Sequence, residues 1–374
     1  MSGGDATLEQ RPAPASAAAP WATLRFGDTR MRLAGERPPA LDWALRFLAP
    51  HFVLEQPPTQ ATPDATLELV ARRSMLAPCA ERADARELFV RKSASPFFTV
   101  PARSATVDGV ELVECTRDGT TMAFDAAARH VRVFAGDDAG LTLVELVRDV
   151  VLKAQENAGA LVLHAAAVAC ADEAVLVVGG KGSGKSTTAL ELVRHNAMAL
   201  LSGDKAILTE QSGEPRVAGW PDYPHLGYAT ILKHENLAAL AGIDPRDPAP
   251  DGHAFSPTGK YAVDPFAFRD RFASSRRSAG LPVRALVLPA IGPAAATTLH
   301  RLELGEVRER LHANVDSAFE TSSATWNAFT PRAPGVPDRA PLLDRLAALP
   351  AFAVRGPGDL AGLALPRELT GAAT

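Results

Sequence analysis

The stretch from Val175 to Thr188, Val-Leu-Val-Val-Gly-Gly-Lys-Gly-Ser-Gly-Lys-Ser-Thr-Thr, constrains this chain more than any other. An apolar run stops at glycines, then Lys-Ser, then the helix-forming Ala189-Leu190-Glu191-Leu192-Val193. This is the phosphate-binding pattern G-x-x-x-x-G-K-[ST] between a strand and a helix, and it implies an α/β core. Gly179, Gly180, Gly182 and Gly184 are expected to take positive φ and turn backbone N–H groups inward. With Lys181, Ser183 and Thr187 they form a nest for phosphate oxygens at a helix N-terminus. The pattern assigns Lys185 to the β- and γ-phosphates of ATP and the Ser186 hydroxyl to Mg²⁺.

The remaining sequence is placed around this loop. Residues 1–20, rich in Ala and Pro, read as a disordered tail. Residues 21–140 read as a mainly β module. It has a strand pair around Gly27-Asp28, a helix from Leu41 to Leu48, and short strands at 67–70, 88–90, 110–113 and 131–134. Leu141 to Ala158 carries a broad apolar stripe and reads as a helix linking the halves by packing against the second. Residues 141–365 form the phosphate-loop domain and 366–374 a tail. Late strands are expected at 283–288, 297–302 and 352–355, with helices at 307–319 and 342–349.

Two short segments bring further chemistry to the loop. Leu161 to Ala169 and the loop strand are separated by a short polar turn and should form an antiparallel hairpin. With the turn centred on Asp172, His164 lies opposite Gly180. After the loop helix, Ala197 to Leu201 should be a strand parallel to the loop strand. Asp204 then emerges at the same carboxyl edge as the phosphates, as metal ligand or proton acceptor. Trp220 to His225 is an aromatic, proline-rich loop, and 251–266 a long irregular one. Loops around Tyr223 and Tyr261 are placed to cover an acceptor. Arg269, Arg271, Arg276 and Arg277 form a local basic cluster.

Composition excludes other classes. A net charge of −4 does not suggest non-specific binding to nucleic acid or anionic lipid. Cys79, Cys115 and Cys170 show neither metal spacing nor a disulfide framework, which fits a cytoplasmic location. No apolar run approaches the ~20 residues that span a bilayer.

The order Leu163-His164-Ala165-Ala166-Ala167-Val168, Gly179 to Ser186, then Leu201-Ser202-Gly203-Asp204 resembles the HPr kinase/phosphorylase superfamily. It is similar in particular to the HPr-kinase-related proteins found beside peptide-maturation genes, including lasso-peptide kinases. The resemblance covers residues 140–365. It implies a P-loop kinase core of the HPr kinase/phosphoenolpyruvate carboxykinase-like type, with a mixed sheet. It also implies transfer of the γ-phosphoryl group of ATP to a serine-type hydroxyl of a protein or peptide, and an oligomer among the expected partners. By carry-over, Lys185 and Ser186 hold phosphates and Mg²⁺, His164 stands beside the γ-phosphate, and Asp204 is base or metal ligand. The family shows adjacent aspartates where Gly203-Asp204-Lys205 offers one acid, and Asp222 is the candidate for the second role. A nucleotide-binding subunit or ATPase of a peptide-modification system, and a small-molecule kinase, are the alternatives.

Overall fold

The computed structural model describes residues 18–70, 82, 84–93, 96–195, 198–244, 246, 260–272, 280–320 and 329–370. Residues 1–17 of the expected N-terminal tail, 371–374 of the expected C-terminal tail and Arg276 and Arg277 of the basic cluster lie outside these residues, as do positions 251–259 of the irregular loop.

The N-terminal unit contains β1 (Pro20–Phe26), β2 (Thr29–Gly35), α1 (Pro39–Leu48), β3 (Val53–Glu55), β4 (Ala65–Val70) and β5 (Arg86–Arg91). It continues with β6 (Val100–Val107), β7 (Val110–Cys115), β8 (Thr121–Asp125) and β9 (His130–Phe134). Among the described residues these strands make one nine-stranded mixed sheet, ordered β3-β1-β2-β4-β9-β8-β7-β6-β5. The β1–β2 hairpin turns at Gly27-Asp28 as expected. β3, β6 and β8 escape the sequence reading. β6 contains Pro101, which a non-edge strand rarely tolerates; it sits beside a register shift between Phe89 and Arg91.

α2 (Gly140–Asn157) is the expected helix. It packs on α1 and against β2 and β5, so its stripe serves the N-terminal sheet first. It reaches the second unit through a shared core that includes Val147, Val162, Ile207 and Trp220.

The second unit begins with β10 (Leu161–Cys170), β11 (Glu173–Val178), α3 (Lys185–His195), β12 (Ala199–Ser202), β13 (Lys205–Gln211) and β14 (Glu214–Ala218). Next come β15 (His225–Gly227), α4 (Tyr228–Lys233), α5 (Glu235–Leu240), β16 (Lys260–Ala262), α6 (Pro265–Arg271) and β17 (Leu281–Ile291). It ends with β18 (Thr298–Arg301), α7 (Leu304–His312), β19 (Val315–Asp316), α8 (Ala340–Ala347), β20 (Ala351–Gly356) and α9 (Arg367–Thr370). The helix expected over 307–319 stops at His312, because the chain turns to pair β19 with β10. Residues 367–370, expected in a tail, form α9, which buries Leu369.

β10 and β17 organise this unit. β11, β10, β13, β14 and β17 pair in succession and β17 returns to β11, so the five strands close a ring. The β11–β17 and β17–β20 pairs are parallel; the others named here are antiparallel. The alternation of side chains along a strand divides the core. Ala165, Ala167 and Ala169 share a cluster with α7 and α8, whereas Ala166 and Val168 share one with Ala189 and Leu192 of α3. His164 has the parity of the α3-facing positions. No helix among the described residues is long and apolar enough to cross a membrane.

Candidate functional site

The β10–β11 hairpin forms with a two-residue turn, Ala171-Asp172, in which Ala171 takes φ +52°. Ala165 pairs with Val178, so His164 is level with Gly179, one residue from the expected Gly180. The expectation assumed a turn centred on Asp172, and a two-residue turn moves the register by one. β12 runs in the same direction as β11, but it pairs with β10, which lies between them.

The loop from Gly179 to Lys185 departs from expectation at its first two glycines. Positive φ occurs at Gly182 (+82°) and Gly184 (+100°) but not at Gly179 or Gly180. Gly179 is small for another reason: the Ser183 side chain occupies the space a Cβ would need. A Cβ at Gly184 would overlap Ile291 at the end of β17. Ile291 N–H also donates to Ser183 O at 2.9 Å, which moors the loop to the sheet. At Gly180 a Cβ would meet nothing within 4 Å, so the fold itself leaves that face of the loop open.

Lys185 opens α3 and is buried. Its Nζ donates to Gly179 O (2.7 Å) and Gly180 O (3.2 Å) and lies 3.0 Å from His164 Nε2. The same Nε2 is 3.2 Å from Asp204 Oδ1. One ring nitrogen cannot accept from the ammonium and donate to the carboxylate at once. His164 therefore stands between a cation and an anion, able to serve either. Burial pulls the Lys185 ammonium down to about 8; Asp204 opposes this and Lys260 adds to it.

Asp204 sits where the strand leaves its ladder. Ser202 pairs with Ala167 and Lys205 with His164, and Gly203-Asp204 form a bend between them that makes no ladder pair. Its side chain is 60% exposed to the cleft. Crowding by protein raises its pKa, but His164, Lys205 and Lys185 outweigh that and hold the carboxyl well below the usual range. Asp204 is therefore an ionised acceptor at neutral pH.

These groups border one cavity of about 470 Å³, together with Gly180 to Ser186. Lys181 is exposed at the loop. Thr187 also borders the cavity, but its hydroxyl lies 2.6 Å from that of Thr230 in α4. Tyr223, expected in a covering loop, is a core residue between the rings of Phe47 and Phe98. Arg269 donates to Phe47 O at 2.9 Å and ties α6 to α1.

Several participants were not visible in the sequence. Arg91 to Ser93, at the end of β5, bring the N-terminal unit to the cavity wall. His225 Nδ1 donates to Tyr223 O (3.0 Å) and Nε2 accepts from Ser93 Oγ (3.2 Å). Burial drops the His225 pKa to about 4, with Arg91 adding to the effect. Asp222, its side chain 13% exposed, accepts from Gly203 N at 2.7 Å and lies 3.8 Å from Arg148. Burial pushes its carboxyl above the usual range against the pull of Arg148. Asp222 is the candidate second acid of the sequence reading, whereas its partners Glu145 and Arg148 showed there only as two charges inside the apolar stripe of α2.

No family model and no curated protein matches the chain. The site is read from its own geometry.

The residues present fit a magnesium nucleotide. Among the described residues no three His, Cys, Asp or Glu gather to hold a metal. Mg²⁺ needs no such cage, since it is commonly held by one carboxylate, a hydroxyl and substrate phosphates. Ser186 and the ionised Asp204 border the same cavity as the loop and supply those oxygen donors.

Proposed function

We propose that this chain is an ATP-dependent kinase with a P-loop core of the HPr kinase type, which moves the γ-phosphoryl group of ATP to a serine-type hydroxyl of a protein or peptide. The observation that carries the reading is the convergence of Lys185, His164 and Asp204 within 3.2 Å contacts beside the glycine loop.

The chemistry asks for charge neutralisation, an aligned hydroxyl and a proton acceptor. The loop amides and Lys185 bind phosphate oxygens; Lys185 exchanges its bonds to Gly179 O and Gly180 O for them. Ser186 and Asp204 would hold Mg²⁺, which would supply charge neutralisation to the phosphates. The acceptor hydroxyl attacks the γ-phosphorus while the bond to the β,γ-bridging oxygen breaks. Its proton passes to Asp204, and ADP leaves. His164 orients Asp204 when Nε2 carries a proton and steadies Lys185 when it does not.

One observation favours a second reading, a nucleotide-binding subunit or ATPase. Asp222 Oδ2 is taken by Gly203 N and Asp204 N, so among the described residues lining the cleft Asp204 is the one carboxylate not engaged by backbone amides. The separating experiment incubates the full chain with Mg·ATP labelled at the γ-position and a set of serine-containing peptides. Label on peptide serine supports the kinase. Release as inorganic phosphate alone supports the ATPase, and neither outcome in the presence of tight ATP binding supports the subunit.

A further inference from the structure

Gly203-Asp204 is an excursion from the ladder, so strand pairing does not hold it. Asp222 does. Its Oδ2 accepts from Gly203 N (2.7 Å) and Asp204 N (3.2 Å) and lies 3.0 Å from Ser202 Oγ, whose one proton also faces Lys205 O. The two amides occupy the lone pairs of that oxygen and leave it no room for an acceptor's proton. Oδ1 faces Arg148 at 3.8 Å. Arg148 binds Glu145 Oε1 at 2.7 Å, and Glu145 Oε2 lies 3.4 Å from Arg91. Arg91 also stacks over Tyr223, the chain neighbour of Asp222, at 4.5 Å.

These four charges alternate in sign, and each side chain is less than a fifth exposed. They run from the last residue of β5, across one turn of α2, to the base of the Asp204 excursion. Desolvation offsets most of what buried ion pairs contribute to stability, whereas removing one partner strands the others. Such a row is better suited to fixing a position than to holding a fold together.

We propose that Asp222 is the positioning residue of the Asp204 excursion, and that the Arg91–Glu145–Arg148 row fixes Asp222 from the N-terminal unit, making that unit a working part of the phosphoryl-transfer site. This rests on reading Asp204 as the proton acceptor. It assigns the N-terminal sheet a task that the phosphate loop does not suggest. It also assigns Asp222 a holding role in place of a second acid.

The test uses the full chain and two readouts: amide hydrogen exchange over 202–205, and turnover of Mg·ATP with Mg·ADP affinity measured beside it. Asp222→Ala is expected to speed exchange at Gly203 and Asp204. It should lower kcat by about a hundredfold, the cost of a roughly 1 Å misplacement, and leave ADP affinity nearly unchanged. Asp222→Asn keeps a carbonyl oxygen for Gly203 N and should restore slow exchange and most of kcat. Arg91→Met retains the Asp222 side chain but loosens the row behind it, and should speed the same amides with a smaller fall in kcat; it carries the test if Asp222→Ala does not fold. Unchanged exchange in Asp222→Ala, or in Arg91→Met, overturns the corresponding half of the proposal. Turnover in Asp222→Asn as low as in Asp222→Ala, with exchange restored, makes Asp222 a second acid and overturns its holding role. The predicted exchange without turnover in the parent protein upholds the holding role and removes the kinase reading.

Discussion

A single nitrogen, His164 Nε2, faces both Lys185 and Asp204 at hydrogen-bonding distance. Whichever partner it serves, the loop and the acidic excursion share it. We predict that His164→Ala leaves Mg·ADP binding nearly intact but lowers turnover roughly a hundredfold, as loss of a group that supports proton transfer does; parallel calorimetry and turnover assays check the split. A second histidine reports on stability. His225 has a folded pKa of about 4 against 6.5 when unperturbed. Between those values the unfolded chain binds a proton that the folded chain refuses, so stability falls as pH drops from 6.5 toward 4. Urea midpoints across that window should fall less steeply in His225→Gln. His164, Lys185 and Asp204 were legible because each stands beside a motif or a strand end. Asp222 could be named as a candidate acid, but its contact with Gly203 and the contact of His225 with Ser93 were not legible, because those partners become neighbours only through the fold.

At the scale of elements, the loop works because β17 closes on it. Gly184, at φ +100° and against Ile291, admits no side chain without moving the loop or the strand end. Gly184→Ala is expected to abolish Mg·ADP binding while circular dichroism still reports a folded chain. The β10–β11 hairpin was readable from its apolar runs and short polar turn. Its register was not, since a two-residue and a three-residue turn leave the same sequence pattern. β13 and β14 were missed for a related reason. Their pairing to β10 and β17 closes a ring, and that closure depends on partners distant along the chain. The charges of α2 were in plain view, but a stripe with Glu145 and Arg148 in it gives no hint of which acid waits opposite.

Across the whole molecule, one hydrophobic cluster crosses the seam between the units. It joins Leu143, Leu146 and Val150 of α2 to strands of the N-terminal sheet and to Val162, Ile207, Trp220 and Tyr223. We therefore expect a single cooperative thermal transition, seen as matching calorimetric and van't Hoff enthalpies; two separated transitions would show that the units fold independently. The shift in strand patterning was readable near residue 140, where one sheet ends with β9 and another opens with β10. The cavity they share was not, because Arg91 and Lys185 are far apart in sequence. The proposed kinase stands on the glycine loop holding a magnesium nucleotide in this cavity through Lys185. Isothermal titration of the full chain with Mg·ATP, beside the Lys185→Ala variant, decides this. Saturable binding is expected for the parent, with a loss of at least about tenfold in the variant, the worth of a charged hydrogen bond. No binding by the parent, or equal affinity in the two proteins, would contradict it.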